Sequence, residues 1–300
     1  MRNAFIDELI AAAQRNDNIA LVVGDLGYGV VEPFAKKFPE RFFNAGVAEQ
    51  NMMGLCAGLA SEGLHVFAYS IANFPTFRCA EQIRNDLDYH GLPVTVVAVG
   101  GGLAYGNLGY SHHAVQDYSL IRSFPNMLIA APGDPMEVRA CMRYLIKNPQ
   151  PSYLRLGKAG EACVHSEVPE VEPGKWLTVK SGIDGGSAFL STGAALALTS
   201  GLVKNHHEFE DLTISSLPLW GMKSKVLQAD QLKKFSRVTT VEDHLIDGGF
   251  GSWLMESCVS KPDLLSKIRI KALDAKVCGM VGKQSTLNEQ GGLTSELLCE

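Results

Sequence analysis

No apolar run in this sequence approaches the roughly 20 residues needed to cross a bilayer. The opening segment, Met1 to Gln14, has no basic stretch followed by an apolar core, so it does not read as a secretory leader. Basic residues are scattered rather than striped and the net charge is −5, which argues against nucleic acid as the main partner. Low-complexity tracts and repeats of solenoid length are absent. The seven cysteines (Cys56, Cys79, Cys141, Cys163, Cys258, Cys278 and Cys299) are odd in number and form no C-x-x-C. Buried free thiols in a reducing cytoplasm are therefore expected, rather than disulfides or a zinc site.

What is present is the rhythm of an α/β protein. A chain of 300 residues, 46% hydrophobic and 20% charged, can bury two cores. Phe5, Leu9, Ile10 and Ala13 fall at helical spacing and precede the apolar run Ile19 to Val23. Short strands are expected at 41–43 and 66–69, flanking a helix over about 49–62. A second helix is expected over about 77–89, since Pro75 suits a start and Gly91 a stop. Strand, helix and strand then recur at 94–99, 127–131, 135–147 and 153–156. Apolar runs without alternation, separated by helices, indicate a parallel sheet covered on both faces. Residues 1–158 are thus assigned to a first three-layer domain. Residues 159–186, rich in Glu, Pro, Gly and Ser, read as a linker. Residues 187–300 read as a smaller α/β domain. Its strands are expected at 188–190, 212–215, 238–241 and 268–272, and its helices at 194–205, near Leu232 and over 251–260.

The run Asn44-Ala45-Gly46-Val47-Ala48-Glu49 follows a strand and opens a helix. That puts Glu49 at the C-terminal edge of a parallel sheet, where ligands bind in such folds. A first-turn glutamate that only complements the helix dipole is the plainer alternative. The segment Tyr69 to Phe77 brings aromatic rings to the same edge. A carboxyl beside a flat aromatic wall can hold a heteroaromatic ring by one hydrogen bond and stacking. The glycine-rich loop 100–109 lacks G-x-G-x-x-G spacing, so no dinucleotide motif stands behind it.

The runs GVAEQNMMGLCAGLASEG and YSIANFPTFRCAEQIRNDL resemble the pyrimidine-binding domain of transketolases. The resemblance implies that Glu49 hydrogen-bonds the aminopyrimidine ring of thiamine diphosphate and exchanges a proton with it. It implies Phe74 and Phe77 as the aromatic pocket, thinned by Ala80 where a third aromatic is often found. Gly24-Asp25-Leu26-Gly27 matches the family's acidic turn, making Asp25 a cofactor-side residue or else an N-cap or turn aspartate. His112 falls on the family's active-site histidine, and His113 has no such support. Ser152 to Leu156 resembles the strand that presents an arginine to a substrate phosphate. Arg155 could supply two parallel hydrogen bonds there, or else form a surface ion pair. Arg78 is a further candidate contact for a substrate anion. Val241-Glu242-Asp243-His244 and Gly248-Gly249-Phe250-Gly251 match the transketolase C-terminal domain and read as scaffold and interface, with Glu242 and His244 as local hydrogen-bonding partners. His206 and His207 are expected in a solvated turn. The resemblance runs from about Leu21 to Gly292.

The departures matter as much as the matches. The family holds the diphosphate through Mg2+ and a Gly-Asp-Gly turn, which this sequence lacks, and no room for another domain is seen ahead of Met1. The resemblance therefore implies a partner chain, an N-terminal transketolase-like subunit that holds the diphosphate and most of the Mg2+ shell, in an α2β2 assembly. The implied reaction is two-carbon ketol transfer between small sugar phosphates. Leu108 falls where transketolases carry an aspartate that reads a donor hydroxyl, and Gly100 where they carry a histidine, so hydroxyl selectivity is expected to be weak. Two other readings stand beside this one. The first is the β-subunit of a 2-oxo-acid dehydrogenase or decarboxylating ligase. The second is a non-catalytic scaffold, against which Glu49 and the aromatic wall argue.

Overall fold

The computed structural model describes residues 1–205 and 209–294. In chain order the strands are β1 (Ile19–Val23), β2 (Phe42–Asn44), β3 (His65–Ile71), β4 (Val94–Val99), β5 (Leu128–Ala130), β6 (Ser152–Leu156), β7 (Leu177–Lys180), β8 (Gly185–Ser191), β9 (Thr213–Ser216), β10 (Leu219–Trp220), β11 (Phe235–Leu245) and β12 (Ile268–Leu273). They form two sheets, ordered β10-β5-β6-β4-β3-β1-β2 and β12-β11-β8-β9-β7. Pairing is parallel throughout except at β10 on β5 and β7 on β9. Every residue of β1, β4 and β6 is buried. Helices cover both faces of these central strands, which is why their sequences run apolar without alternation.

Most expected elements fall within a residue or two of their place, including the helices Glu49–Ser61, Pro135–Lys147 and Ala195–Asn205. The single helix expected over 77–89 is broken into Asn73–Phe77, Ala80–Gln82 and the π-helical turn Ile83–Asp88. It starts earlier than Pro75 suggested and is interrupted at Cys79, whose backbone (φ −111°) leaves the helical region. Such π-turns often lie near functional sites.

The stretch 159–186 is not an open linker. It carries β7, which adds antiparallel to β9, and reaches into β8. Near its start it is pinned to the first sheet. Asp134 caps the helix Pro135–Lys147 by accepting from the Glu137 N–H, and its other oxygen accepts from Val164 N, His165 N and His165 Nδ1. The two halves also share a sheet, since β10 from the second half extends the first. Four of the cysteines are buried as expected (Cys56, Cys79, Cys141, Cys258), but Cys163 is exposed and Cys278 half-buried. Cys299, His206 and His207 lie outside the described residues. No described helix is long and apolar enough to cross a membrane.

Candidate active site

The parallel strands of the first sheet end together, and the loops that follow them build one crevice. At the ends of β1 and β2, Asn44 ties two turns into a single knot. Its carbonyl oxygen accepts from the N–H groups of Asp25 and Gly46, while its amide donates to the Asp25 carboxylate. Asp25 also accepts from the Tyr28 hydroxyl, and these bonds, Asn44 first, hold its carboxyl below the usual range. Among the described residues Asp25 is the only non-glycine with positive φ, at 55°. Strained backbone of this kind tends to collect at functional sites. Asp25 is thus a turn aspartate at the strand ends, one of the roles its sequence allowed.

Beyond this knot, Gly46 turns the chain at φ 72° into the helix Glu49–Ser61, and Glu49 opens that helix with only 4% of its surface exposed. Its carboxylate faces Arg78, whose Nη1 lies 3.1 and 3.0 Å from the two oxygens. The same guanidinium lies over the Phe74 ring, 4.2 Å from its centroid. His112 meets Phe74 edge-on at 5.3 Å, and its Nδ1 is 3.0 Å from the Ser111 hydroxyl. Burial first, then the charges of His113 and Arg78, lower the His112 pKa. The imidazole is therefore neutral at neutral pH. Phe77 lines the crevice from the same short helix and is 42% exposed.

Glu49, Phe74, Phe77, Arg78 and His112 thus converge, as their sequence positions suggested. Arg78, however, is no free anion contact: it is spent on Glu49 and Phe74. Arg155 departs further from its expected place. It is 3% exposed, with Nε on Asp117 at 2.8 Å, Nη1 on Asp243 at 2.6 Å and Nη2 on the Ala114 carbonyl at 2.7 Å. It is neither a phosphate ligand nor a surface ion pair, but the buried core of the junction between the two halves. The nearby glycines serve that junction too. A Cβ at Gly101 would lie 2.6 Å from Arg155 Nε, and Gly102, at φ 63°, packs on the Asp243 carboxylate.

Sequence reasoning passed over Asn73. Its amide donates to the carbonyls of Ser111 and His113, at 2.9 and 3.0 Å, and so fastens the histidine loop to the aromatic helix. An asparagine among aromatics gives no local signal of such a reach. Asp117 was also missed; it links Arg155 to Tyr153, whose hydroxyl meets Thr76 at 3.1 Å. His113, unsupported in the sequence, is fully buried against the Gly106 carbonyl. Glu242 and His244 are local partners, as read. Glu242 accepts from the N–H groups of Phe250 and Gly251, and His244 bonds the Leu245 carbonyl while stacking on Tyr118.

The slot between Glu49 and Phe74 has a definite chemistry. It offers a carboxylate at one edge and an aromatic face on one side, and it holds a flat, nitrogen-bearing cation. An aminopyrimidine ring is likewise flat and, with a proton shared between its ring nitrogen and the carboxyl, makes one hydrogen bond there, so the residues fit that end of thiamine diphosphate. Among the described residues no group of three or more His, Cys, Asp or Glu side chains could hold a metal ion.

Comparison with known proteins agrees with this geometry. Residues 1–160 match the family described as transketolase, pyrimidine binding domain. A protein of Methanocaldococcus jannaschii named as a transketolase C-terminal section is 32% identical, over 100% of this chain and 94% of the relative. One subunit of the apulose-4-phosphate transketolase of Phocaeicola vulgatus is 32% identical over 87% of this chain and 84% of its own. A solved structure described as a split gene transketolase, an inactive β4 tetramer, superposes with a TM-score of 0.87 at 30% identity, covering 99% of this chain and 95% of that one. The chain belongs to the transketolase family through its pyrimidine-binding domain and is similar to subunits of split transketolases.

Proposed function

We infer that the chain is one subunit of a thiamine-diphosphate-dependent, transketolase-like transferase that moves a two-carbon ketol unit between sugar phosphates. The observation that carries this reading is the slot at the sheet edge, where the buried Glu49 carboxylate and the Phe74 ring together grip a flat cationic group. When bound, the cofactor supplies the nucleophilic carbon and the electron sink for breaking and forming a bond next to a carbonyl. Phe74 would carry one face of the aminopyrimidine. Glu49 would hold and return a proton at its ring nitrogen, general acid–base work that needs a carboxyl within hydrogen-bond reach. His112, neutral at neutral pH and beside Phe74, is suited to accept or donate a proton at a substrate oxygen.

The diphosphate half of the site, with its Mg2+, is assigned to an N-terminal transketolase-like partner in an α2β2 assembly. The surface around the crevice supports a covering partner: Val47, Leu55, Phe77, Leu108 and Tyr110 are all exposed there. The outer face of the helix Glu49–Ser61 carries Gly54 and Gly58, where an added Cβ would meet nothing within 4 Å. Apolar patches of this kind around a site commonly mark protein interfaces. A reducing cytoplasm suits the buried thiols.

Glu49→Gln in the two-chain complex tests the assignment. The change keeps the volume and removes the carboxyl that can take and return a proton. Deuterium exchange at the reactive thiazolium carbon should slow on the order of 100- to 10,000-fold. Unchanged exchange would remove Glu49 from its role.

A further inference from the structure

The contact between Arg78 and Glu49 occupies the slot assigned above to the cofactor ring. Arg78 ends the helix Asn73–Phe77, and its backbone carbonyl is tied to the Gln50 amide at 2.9 Å. The main chain is thus fixed while the side chain reaches back over Phe74. Its guanidinium has the two properties the slot selects for, a flat face for the ring and donors for the carboxylate. Two openings meet at this side chain. One lies beside Glu49, Gln50 and Asn51, and the other beside Phe74, Phe77 and Tyr110.

The grip is built to release. A fork of two nitrogens on two oxygens is the strong form of this pair. Here Nη1 alone serves both oxygens, and no other hydrogen bond of the guanidinium is found among the described residues. Half of the Arg78 side chain is exposed, so it can swing toward the second opening without breaking packed core. Screening by solvent and salt keeps such a pair weak.

We propose that Arg78 is an internal stand-in for the aminopyrimidine ring: it latches the slot shut in the free chain and must swing aside when the cofactor enters. The inference rests on the cofactor reading of the Glu49 slot and adds a competing occupant to it. Arg78 on this account is a positioning residue. It keeps Glu49 paired until the ring arrives, and it makes the free chain a poor binder of that ring.

The test measures binding, not turnover. The free pyrimidine fragment of the cofactor, 4-amino-5-hydroxymethyl-2-methylpyrimidine, is titrated by NMR into the full chain without a partner. Wild type, Arg78→Met, Arg78→Gln and Glu49→Gln are compared. Removing a partly exposed ion pair and its ring contact should tighten the fragment about tenfold in both Arg78 variants. Raising salt from about 0.05 M to about 0.5 M should tighten it in wild type and leave the Arg78 variants nearly flat. Equal affinity in wild type and both variants, with binding lost in Glu49→Gln, would overturn the latch and keep the cofactor slot. Weaker binding in the Arg78 variants would make Arg78 a ring contact instead. Absence of binding in every form, or binding indifferent to Glu49, would overturn the slot reading and the latch with it.

Discussion

At Glu49 a sequence motif and a physical site coincide. The helix start at 49 was legible because a strand followed by a glycine-containing run and then helical spacing is a local pattern. The side chain's partner was not legible, since Arg78 approaches from a separate helix 29 positions away. Asn73 has the same character: nothing in its neighbourhood announces that it spans to Ser111 and His113. Asn73→Ala should leave those two carbonyls short of a donor and cost about 1–3 kcal/mol in urea unfolding. The loop should then let water reach His112, so that its NMR titration moves back up toward an ordinary histidine. A His112 titration that stays put would mean the loop is held by other contacts. Leu108, exposed on the same loop, is the position at which the sequence resemblance implies a loss of hydroxyl selectivity. Leu108→Asp in the two-chain complex should sharpen discrimination between ketose phosphates epimeric at the hydroxyl next to the cleaved bond, by roughly a few-fold to tenfold in the ratio of kcat/KM. An unchanged ratio would show that this position does not read the hydroxyl.

At the scale of elements, the buried strands were readable because continuous apolar runs have few other uses, whereas the stretch 159–186 was misread. Its Glu, Pro and Gly content suits a loop. What composition hides is the clasp at Asp134. Burial alone would raise the Asp134 carboxyl, but the His165 side chain and the surrounding N–H groups outweigh it and hold it at about 2. Burial pushes Glu137 up to about 7, against the Gly133 N–H and nearby His165. His165 is lowered by burial, yet Asp134 and Glu137 leave it raised overall. The signs then set a window. Asp134, with a depressed folded value, stabilises above about pH 4 and loses this as pH falls. His165 and Glu137, with raised values, stabilise at low pH and lose it as pH rises, Glu137 between about 4.5 and 7 and His165 above about 6.5. Amide protection at Val164 and His165, corrected for intrinsic exchange, should therefore peak at mildly acidic pH and drop on both sides. Protection that rises steadily to pH 8 would contradict the clasp.

For the whole molecule, the two halves are joined by buried polar chemistry that the sequence only half disclosed. The motif at 241–244 read as scaffold and interface, with no role for Asp243, which meets Arg155 at 2.6 Å across the junction of the two halves. Arg155 was drawn to the wrong role because an arginine on a strand looks the same whether it faces a ligand or another domain. Tyr118 stacks on His244 with ring centroids 5.1 Å apart and lies under Arg155 at 4.4 Å. Arg122 reaches across to Glu256 at 2.8 Å. Arg155→Met would leave Asp117 and Asp243 buried without their cation and should destabilise the chain by about 3–5 kcal/mol. Full stability with a raised KM alone would return Arg155 to the substrate.

On the function proposed above, the Glu49 crevice is half of a cofactor site that another chain completes. The most direct measurement is calorimetric titration of thiamine diphosphate with Mg2+, into this chain alone and into its complex with an N-terminal transketolase subunit. The complex should bind tightly and saturably, more weakly with Glu49→Gln, and the single chain should show no comparable binding, as a shared site requires. Equally tight binding by the chain alone, or a complex that binds no better than the chain, would contradict it.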